Sequence, residues 1–542
     1  MILSKIYSDG MMLQRNRGNV IDGQTKPETK VVVSFMGIDY DTVSDEEGFF
    51  DIMLNPAKEG GPYVLTINDT NETVMLNDVY LGDVFLLAGQ SNMELPVSRT
   101  LDLYANEVGK KDYPLIRMFQ TPKDFKFGEP DQILSEGEWI EADKKNVMNF
   151  SALGFYFAEF KHNEDKVPIG LVHAAVGGTH IEAFMSEEKL MESAEKMIDK
   201  ARAAGRPTEC RCNNINSTCK SCYKEALKKD KDETYVKSTV MSELKRMEDW
   251  SKRVDSKDKG FLEKWESHEW SDAEKAEGIL IDVPSSWIDK ELGRIIGSVW
   301  VQTSVEVPGD WCGKKIQLRL GTIVDADITY VNGKQVGRTE YFYPPRRYWL
   351  DEDVLVPGKN IITVRVVINN NVGEFKKDMP YCLKMGDEEI SLEGKWNARI
   401  AAIDSPMGPQ TFFTWQPTSL YNKMIYPLRN ISFDSVIFYQ GESNTAYPED
   451  YEYLMEDMVE DWRTLFGSDI PFIFMELPYF KGETWETESD DWTRLREAQE
   501  RAVKNTSNTK IVDLYDLGQY NEIHIQNKKV AAERLYSAYK GN

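Results

Sequence analysis

The chain is poor in histidine, in positive charge and in long apolar runs, and each shortage narrows its chemistry. Its 542 residues hold five histidines, so a mechanism that needs an imidazole base has few places to find one. Lys and Arg number 65 against 90 Asp and Glu, a formal net charge of −25. A surface of that sign repels phosphate backbones and anionic membranes, which disfavours nucleic-acid and membrane partners. The longest apolar stretches, such as VFLLAG at 84–89 and SVIFY at 435–439, are strand-sized and well short of a bilayer span. The opening MILSKIYSDGMMLQ puts Lys5 and Asp9 where a signal peptide would be apolar. A cytoplasmic location is expected on that reading, although a secreted chain trimmed of its leader would look the same. Oligomeric state is not legible.

Cysteine is also scarce, with six in all, yet Cys210, Cys212, Cys219 and Cys222 cluster. The C-x-C and C-x-x-C pairs suit a structural zinc, two disulfides or four reduced thiols, according to compartment. With no open coordination position suggested, the cluster has no expected catalytic role.

At this length two to four domains are expected. Residues 1–78 alternate apolar and polar positions between turn signals (KVVVSFMGIDYDTV, GFFDIMLN, GGPYVLTIND), the pattern of an antiparallel β-sandwich. From residue 79 the character changes. DVFLLAGQ, VPIGLVHAAVGG, DSVIFYQG, IPFIFMELP and TKIVDLYDLG are continuous apolar runs, as expected of strands buried on both faces of a parallel sheet. Amphipathic stretches such as YEYLMEDMVEDWRTLF and NKKVAAERLYSAYK separate them, so a doubly wound α/β domain is expected over 79–186 and 401–542. Two segments interrupt it. Residues 187–280 are charged, rich in helix formers and carry the cysteines. Residues 281–400 return to β-pattern, with the hairpin signal Asn332-Gly333, and read as a second β-sandwich.

Chemistry is expected where loops leave the carboxyl edge of the parallel sheet. Ser91, in LLAGQSNMEL, follows the first apolar strand and can expose its hydroxyl there, or merely cap a helix. Among the five histidines, His162 and His268 lie in charged runs and His173 within a strand, while His180 follows the VGG turn. His524, in LGQYNEIHIQNKK after the last strand, is the best-placed general base. Gly177 and Gly178 offer bare backbone beside the second strand, and Asn444 in YQGESN offers a side-chain amide. Both are expected as donors to a developing oxyanion.

Five segments, GQSNM at 89–93, PIGLVHAAVGGTHIEAFMS at 168–186, TSLYNKMIYPL at 418–428, YQGESN at 439–444 and EIHIQNK at 522–528, together resemble sialate O-acetylesterases. They also resemble the related bacterial acetylxylan and acetylxyloglucan esterases of the SGNH superfamily. The resemblance implies a flavodoxin-like SGNH sheet, with the inserted β-domain a jelly-roll. Ser91 then matches the nucleophile, whose own N–H lines the oxyanion hole, with Gly178 preferred to Gly177 beside it. Asn444 matches the block-three asparagine, one residue later after Gly441 than usual, which makes Gln440 a substitute donor. His524 matches the block-five histidine. The acid departs from pattern: Asn521 stands where Asp is usual, leaving Glu522, Asp513, Asp516 or a backbone carbonyl to orient the base. Glu442 is an alternative acid or a brace for the serine loop. In the inserted domain, YPPRRYWL suggests that Arg346, Arg347 and Tyr348 lean over the site.

The expected activity is release of acetate from O-acetylated mono- or oligosaccharides through an acyl-enzyme on Ser91, with no cofactor. Xylan, xyloglucan and sialate esters all fit. The rival readings are a non-catalytic carbohydrate-binding protein and a lipase or peptidase, the latter disfavoured by the missing G-x-S-x-G elbow.

Overall fold

The computed structural model describes residues 1–104, 106–203, 220–288, 291–481 and 488–541. Its spine is one long strand, β1 (Thr73–Gly89). The outer half of β1 alternates between buried and exposed residues and pairs antiparallel with the strand Gly60–Asn68. From Leu81 onward every residue is buried, because this half lies within a parallel sheet. The sheet is completed by β2 (Tyr113–Gln120), β3 (Trp139–Ala142), β4 (Ile169–Ala175), β5 (Ser435–Tyr439), β6 (Phe472–Met475) and β7 (Thr509–Val512). Across it the order is β3-β2-β4-β1-β5-β6-β7, parallel throughout except for the edge strand β3. The expected boundary at residue 78 therefore falls inside a continuous strand, which couples the leading β-region to the parallel sheet.

Register explains why a site forms here. Gly89 lies opposite both Ala175 of β4 and Tyr439 of β5, so three adjacent strands end at one level and release their loops together. Gly89 permits this closeness. Its φ is +127° and a Cβ would sit 2.1 Å from Tyr439 O, a position only glycine can hold. The helices α1 (Ser91–Glu94), α2 (Ala152–Asp165), α3 (Pro448–Phe466), α4 (Asp490–Asn505) and α5 (Lys528–Lys540) follow or separate the strands. α2 packs with α5, and α3 with α4.

The interruption begins with the helices Glu187–Ala203, Lys220–Asp230 and Glu233–Lys257. The β-region that follows has a six-stranded antiparallel sheet and a four-stranded one around its own core, which includes Trp287, Leu318, Val364 and Trp396. Asn332 and Gly333 both take positive φ and close the hairpin between Ala326–Val331 and Lys334–Thr339, as a tight primed turn requires. Buried Asp258 ties the helical part to this sheet, accepting from Ser298 (2.7 Å), Trp300 (2.9 Å) and Arg365 (2.8 Å). Cys210, Cys212 and Cys219, together with the side chain of Cys222, lie outside the described residues. Among the described residues no cluster suits a metal ion, and no helix is long and apolar enough to cross a membrane.

Candidate functional site

Ser91 opens α1 two residues beyond the end of β1, and His524 lies on the loop between β7 and α5. Their side chains meet, with His524 Nε2 2.9 Å from Ser91 Oγ. Asn92 fastens the two loops together. Its amide donates to Glu442 Oε1 (2.5 Å) and to Ile523 O (3.0 Å). Lys528 Nζ donates in turn to Asn92 O (2.8 Å) and Asn92 Oδ1 (2.6 Å). The nucleophile loop, the loop after β5 and the histidine loop are therefore one bonded unit.

This unit is largely buried, and burial governs its charges. Burial, reinforced by the positive charges of Lys528, Arg99 and Arg347, lowers the His524 imidazole to about 3. Burial also brings Lys528 down to about 7, against the opposing pull of Glu442 and Glu522. Both of those carboxyls are pushed up, again chiefly by burial. His524 is held as neutral imidazole, the form that accepts a proton from a serine.

The carboxylates do not fall where a triad would put them. Glu522 is bonded to Arg347 (2.7 Å) and Gln526 (2.8 Å), while His524 Nδ1 has no hydrogen-bond partner among the described residues. The cause is that Arg347, from the inserted β-region, takes the Glu522 carboxylate. Asp516, itself exposed, is paired with half-buried Arg534, and Asp513 accepts from Tyr515 N. Glu442 braces the serine loop through Asn92.

The expected oxyanion donors divide. A Cβ on Gly177 would lie 3.5 Å from Ser91 Cβ, so this glycine borders Ser91 directly. Its N–H donates to Glu94, whose carboxylate is ion-paired with Lys123. Gly178 has φ +76° and lies under Trp415. Asn444, expected to offer its amide to the reaction, donates instead to Glu182 Oε2 (2.9 Å) and accepts from Ile181 N and Gln440. Gln440 is likewise consumed as a strut, donating to Gln90, Thr179 O and Asn444. Both are buried braces between loops. His180 sits at the start of the turn Ile181–Phe184, its imidazole pushed below the ordinary range by burial, against the pull of Glu182.

Among the residues expected to lean over the site, Arg346 is fully buried inside the inserted β-region. It bonds Asp327 (2.7 Å) and the carbonyls of Ile323, Asp325, Phe342 and Pro344. It cannot touch a substrate. Tyr348 is turned inward onto Asp327 and Thr339. Arg347 alone reaches the catalytic loops. The aromatic group that faces His524 is Tyr343, with ring centres 6.5 Å apart.

Sequence reasoning missed Asn92, Lys528, Tyr343 and Trp415. Lys528 left a signal. The buried positions of α5 are 528, 531, 532, 535 and 536, so this lysine stands on the apolar stripe, where an uncompensated charge is costly.

A serine hydroxyl bonded to a buried neutral imidazole at the carboxyl edge of a parallel sheet is the constellation of a serine hydrolase. The chain matches the family "Carbohydrate esterase, sialic acid-specific acetylesterase" over residues 81–215 and 386–539, more than half its length, and it belongs to that family. Similar curated proteins are the sialate O-acetylesterases of Mus musculus, 28% identical over 33% of this chain, and of Rattus norvegicus, 30% identical over 26%. These alignments span 35% and 28% of the relatives' own lengths, about a third. The crystal structure of a carbohydrate acetylesterase from Xanthomonas citri covers 99% of this chain, and 74% of that chain is matched, at 20% identity and a TM-score of 0.56. That likeness extends the shared fold, with its several sheets and mixed α/β character, across the whole molecule.

Proposed function

We propose that the chain hydrolyses acetyl esters on carbohydrates through an acetyl-enzyme on Ser91. The observation that carries this is the 2.9 Å contact between Ser91 Oγ and His524 Nε2, inside a unit whose burial keeps the base neutral. In the first step Ser91 Oγ attacks the acetyl carbonyl carbon and its proton passes to His524 Nε2. The carbonyl oxygen takes the negative charge, facing the N–H groups of Ser91 and Gly178. Collapse breaks the bond to the sugar oxygen, which leaves with the proton from His524. Water then loses a proton to His524, attacks the acetyl carbon and releases acetate, and the proton returns to Ser91 Oγ.

The base works without a carboxylate on Nδ1, as a Ser–His pair. Glu522 contributes through Arg347, by holding that cation in place. The parallel sheet is read as the SGNH kind and the inserted β-region as a jelly-roll. The acceptable sugars include acetylated sialic acid, xylo-oligosaccharides and xyloglucan oligosaccharides. Acetate release from a panel of these, beside 4-nitrophenyl acetate, tests the reading with the intact chain and with Ser91→Ala and His524→Ala. Both variants should lose at least a thousand-fold in kcat while staying folded. Turnover that survives Ser91→Ala refutes the mechanism, and a folded chain that turns over nothing favours a carbohydrate-binding role.

A further inference from the structure

Aromatic side chains border the Ser91–His524 pair from two directions, and neither belongs to the machinery described above. On the histidine side stands Tyr343, edge-on to His524 at 6.5 Å and 45% exposed. It comes from the inserted β-region, on the segment that precedes the strand Arg347–Leu350. On the nucleophile side stands Trp415. Its Nε1 donates to Gly177 O (2.8 Å), and its ring covers Gly178 at a distance that leaves no room for a Cβ. Phe412 stacks on it with centroids 3.9 Å apart and an interplanar angle of 20°, and remains 37% exposed. Phe412 and Trp415 thus stand on the side of Gly177, which borders Ser91, and Tyr343 stands on the side of His524.

Exposed aromatics scattered singly over a surface need no explanation. These differ because Tyr343 is set against His524, and the Phe412–Trp415 stack is fixed to the Gly177–Gly178 turn beside Ser91. Tyr343 is held in place by the buried staple of its own loop, where Arg346 bonds the carbonyls of Phe342 and Pro344 on either side of it. Four residues on from Tyr343, Arg347 locks the same loop to Glu522 of the histidine loop. The Trp415–Phe412 stack is held by the bond to Gly177. Rigid rings with open faces beside a nucleophile cost little entropy to use as contact surface. Their flat apolar faces suit the C–H faces of a pyranose ring and leave its hydroxyls in water.

We infer that Tyr343 and the Phe412–Trp415 stack are sugar platforms on opposite sides of the scissile ester, and that the inserted β-region supplies one wall of the substrate cleft. The acceptor class is an acetylated oligosaccharide of at least two pyranose units, with one ring against each wall. This rests on the acetylesterase reading of Ser91 and His524 and adds to it the selection of oligosaccharide over small esters.

The test measures kcat/KM on the acetylated oligosaccharide best hydrolysed in the panel above, and on 4-nitrophenyl acetate, for the full chain and its variants. The ratio of the two is the readout. Tyr343→Ala and Phe412→Ala should each lower the ratio about ten-fold, through KM of the oligosaccharide, as loss of a stacked aromatic contact predicts. Tyr343→Phe should restore it, since the ring face and not the hydroxyl makes the contact. Acetylated disaccharides should outperform acetylated monosaccharides in wild type and lose that advantage in Tyr343→Ala. A ratio unchanged in both alanine variants, or failure of Tyr343→Phe to restore it, overturns the platform assignment while leaving the esterase intact. Hydrolysis of 4-nitrophenyl acetate with no acetylated sugar turned over overturns the substrate reading itself, and the platforms with it.

Discussion

Acidification is the sharpest probe of the buried base. An ordinary imidazole with a pKa of about 6.5 is about 76% neutral at pH 7 and about 3% neutral at pH 5, so an enzyme relying on one loses about 25-fold in kcat/KM between them. In this site burial, with the cations Lys528, Arg99 and Arg347, puts His524 at about 3. It then stays about 99% in its base form at pH 5. Acetate release, followed in a pH-stat, should give a kcat/KM flat from pH 7 to pH 5, with its acid limb near the limit of folding. The sign of the stability effect follows from the same shift. Below about pH 6.5 the unfolded chain binds a proton at this histidine and the folded chain does not. Stability is therefore lost as pH falls from 6.5 toward 3, by about 1.4 kcal/mol per unit and about 5 kcal/mol in all. Buried His173, also lowered to about 3, acts in the same direction. Circular dichroism at each pH separates loss of fold from loss of base. Replacing Arg347 by Gln removes one of the three positive neighbours and should move the acid limb upward. A half-height between pH 6 and 7 in a protein that is still folded refutes the account of how His524 is held.

Other perturbations test the supports of the site. Arg346→Leu leaves Asp327 buried without its cation and should cost about 3–5 kcal/mol in the inserted β-region, read as a fall in Tm, with loss of oligosaccharide turnover following Tyr343. Gly178→Ala forces a Cβ to 2.3 Å from Trp415 at φ +76° and should reduce kcat/KM at least ten-fold on every ester, with a smaller change in Tm. Asn92→Ala unhooks Glu442 and Ile523 from the nucleophile loop and leaves Lys528 only its bond to the backbone carbonyl. It should reduce kcat by about a hundred-fold with KM little changed, because positioning and not binding is lost. An Asn92→Ala enzyme with wild-type kcat would show that the three-loop network is idle.

The two residues that met were legible because each stands just past a continuous apolar strand, and such strands could share only one carboxyl edge. Ser91 and His524 needed no side-chain detail to be placed. Glu522 did. Its carboxylate belongs to Arg347, which lies 175 positions away in sequence, and no local spacing reports a partner so distant. The neighbours Arg346 and Arg347 show a different limit. Successive residues entering a strand point to opposite sides, so one guanidinium is sealed in the β-core and the other reaches the catalytic loops. The pattern YPPRRYWL fixes that alternation but not its phase. Asn444 fails for a third reason. The turn Glu442–Asn444 is a single 3-10 turn, and one residue of offset after Gly441 is enough to aim its amide at Glu182 instead of the nucleophile.

These misses share a physical origin that bears on how the site works. Every carboxylate that sequence offered to the base is engaged by another group. Glu522 is held by Arg347, Glu442 by Asn92, and Asp516 by Arg534. A negative charge fixed on Nδ1 would raise the imidazole toward its ordinary pKa and improve it as a proton acceptor. With the carboxylates taken and three cations nearby, the imidazolium formed during attack must be stabilised by the oxyanion that forms beside it. Both charges appear together beside a buried imidazole, where opposite charges attract more strongly than in water. Catalysis should then depend more steeply on the N–H donors around Ser91 than in an enzyme with a full triad. An ester whose tetrahedral anion is a poorer hydrogen-bond acceptor, such as the thionoacetate analogue with C=S in place of C=O, should lose more than the hundred-fold typical of removing one such donor. A smaller loss would show that some other group meets the charge on His524.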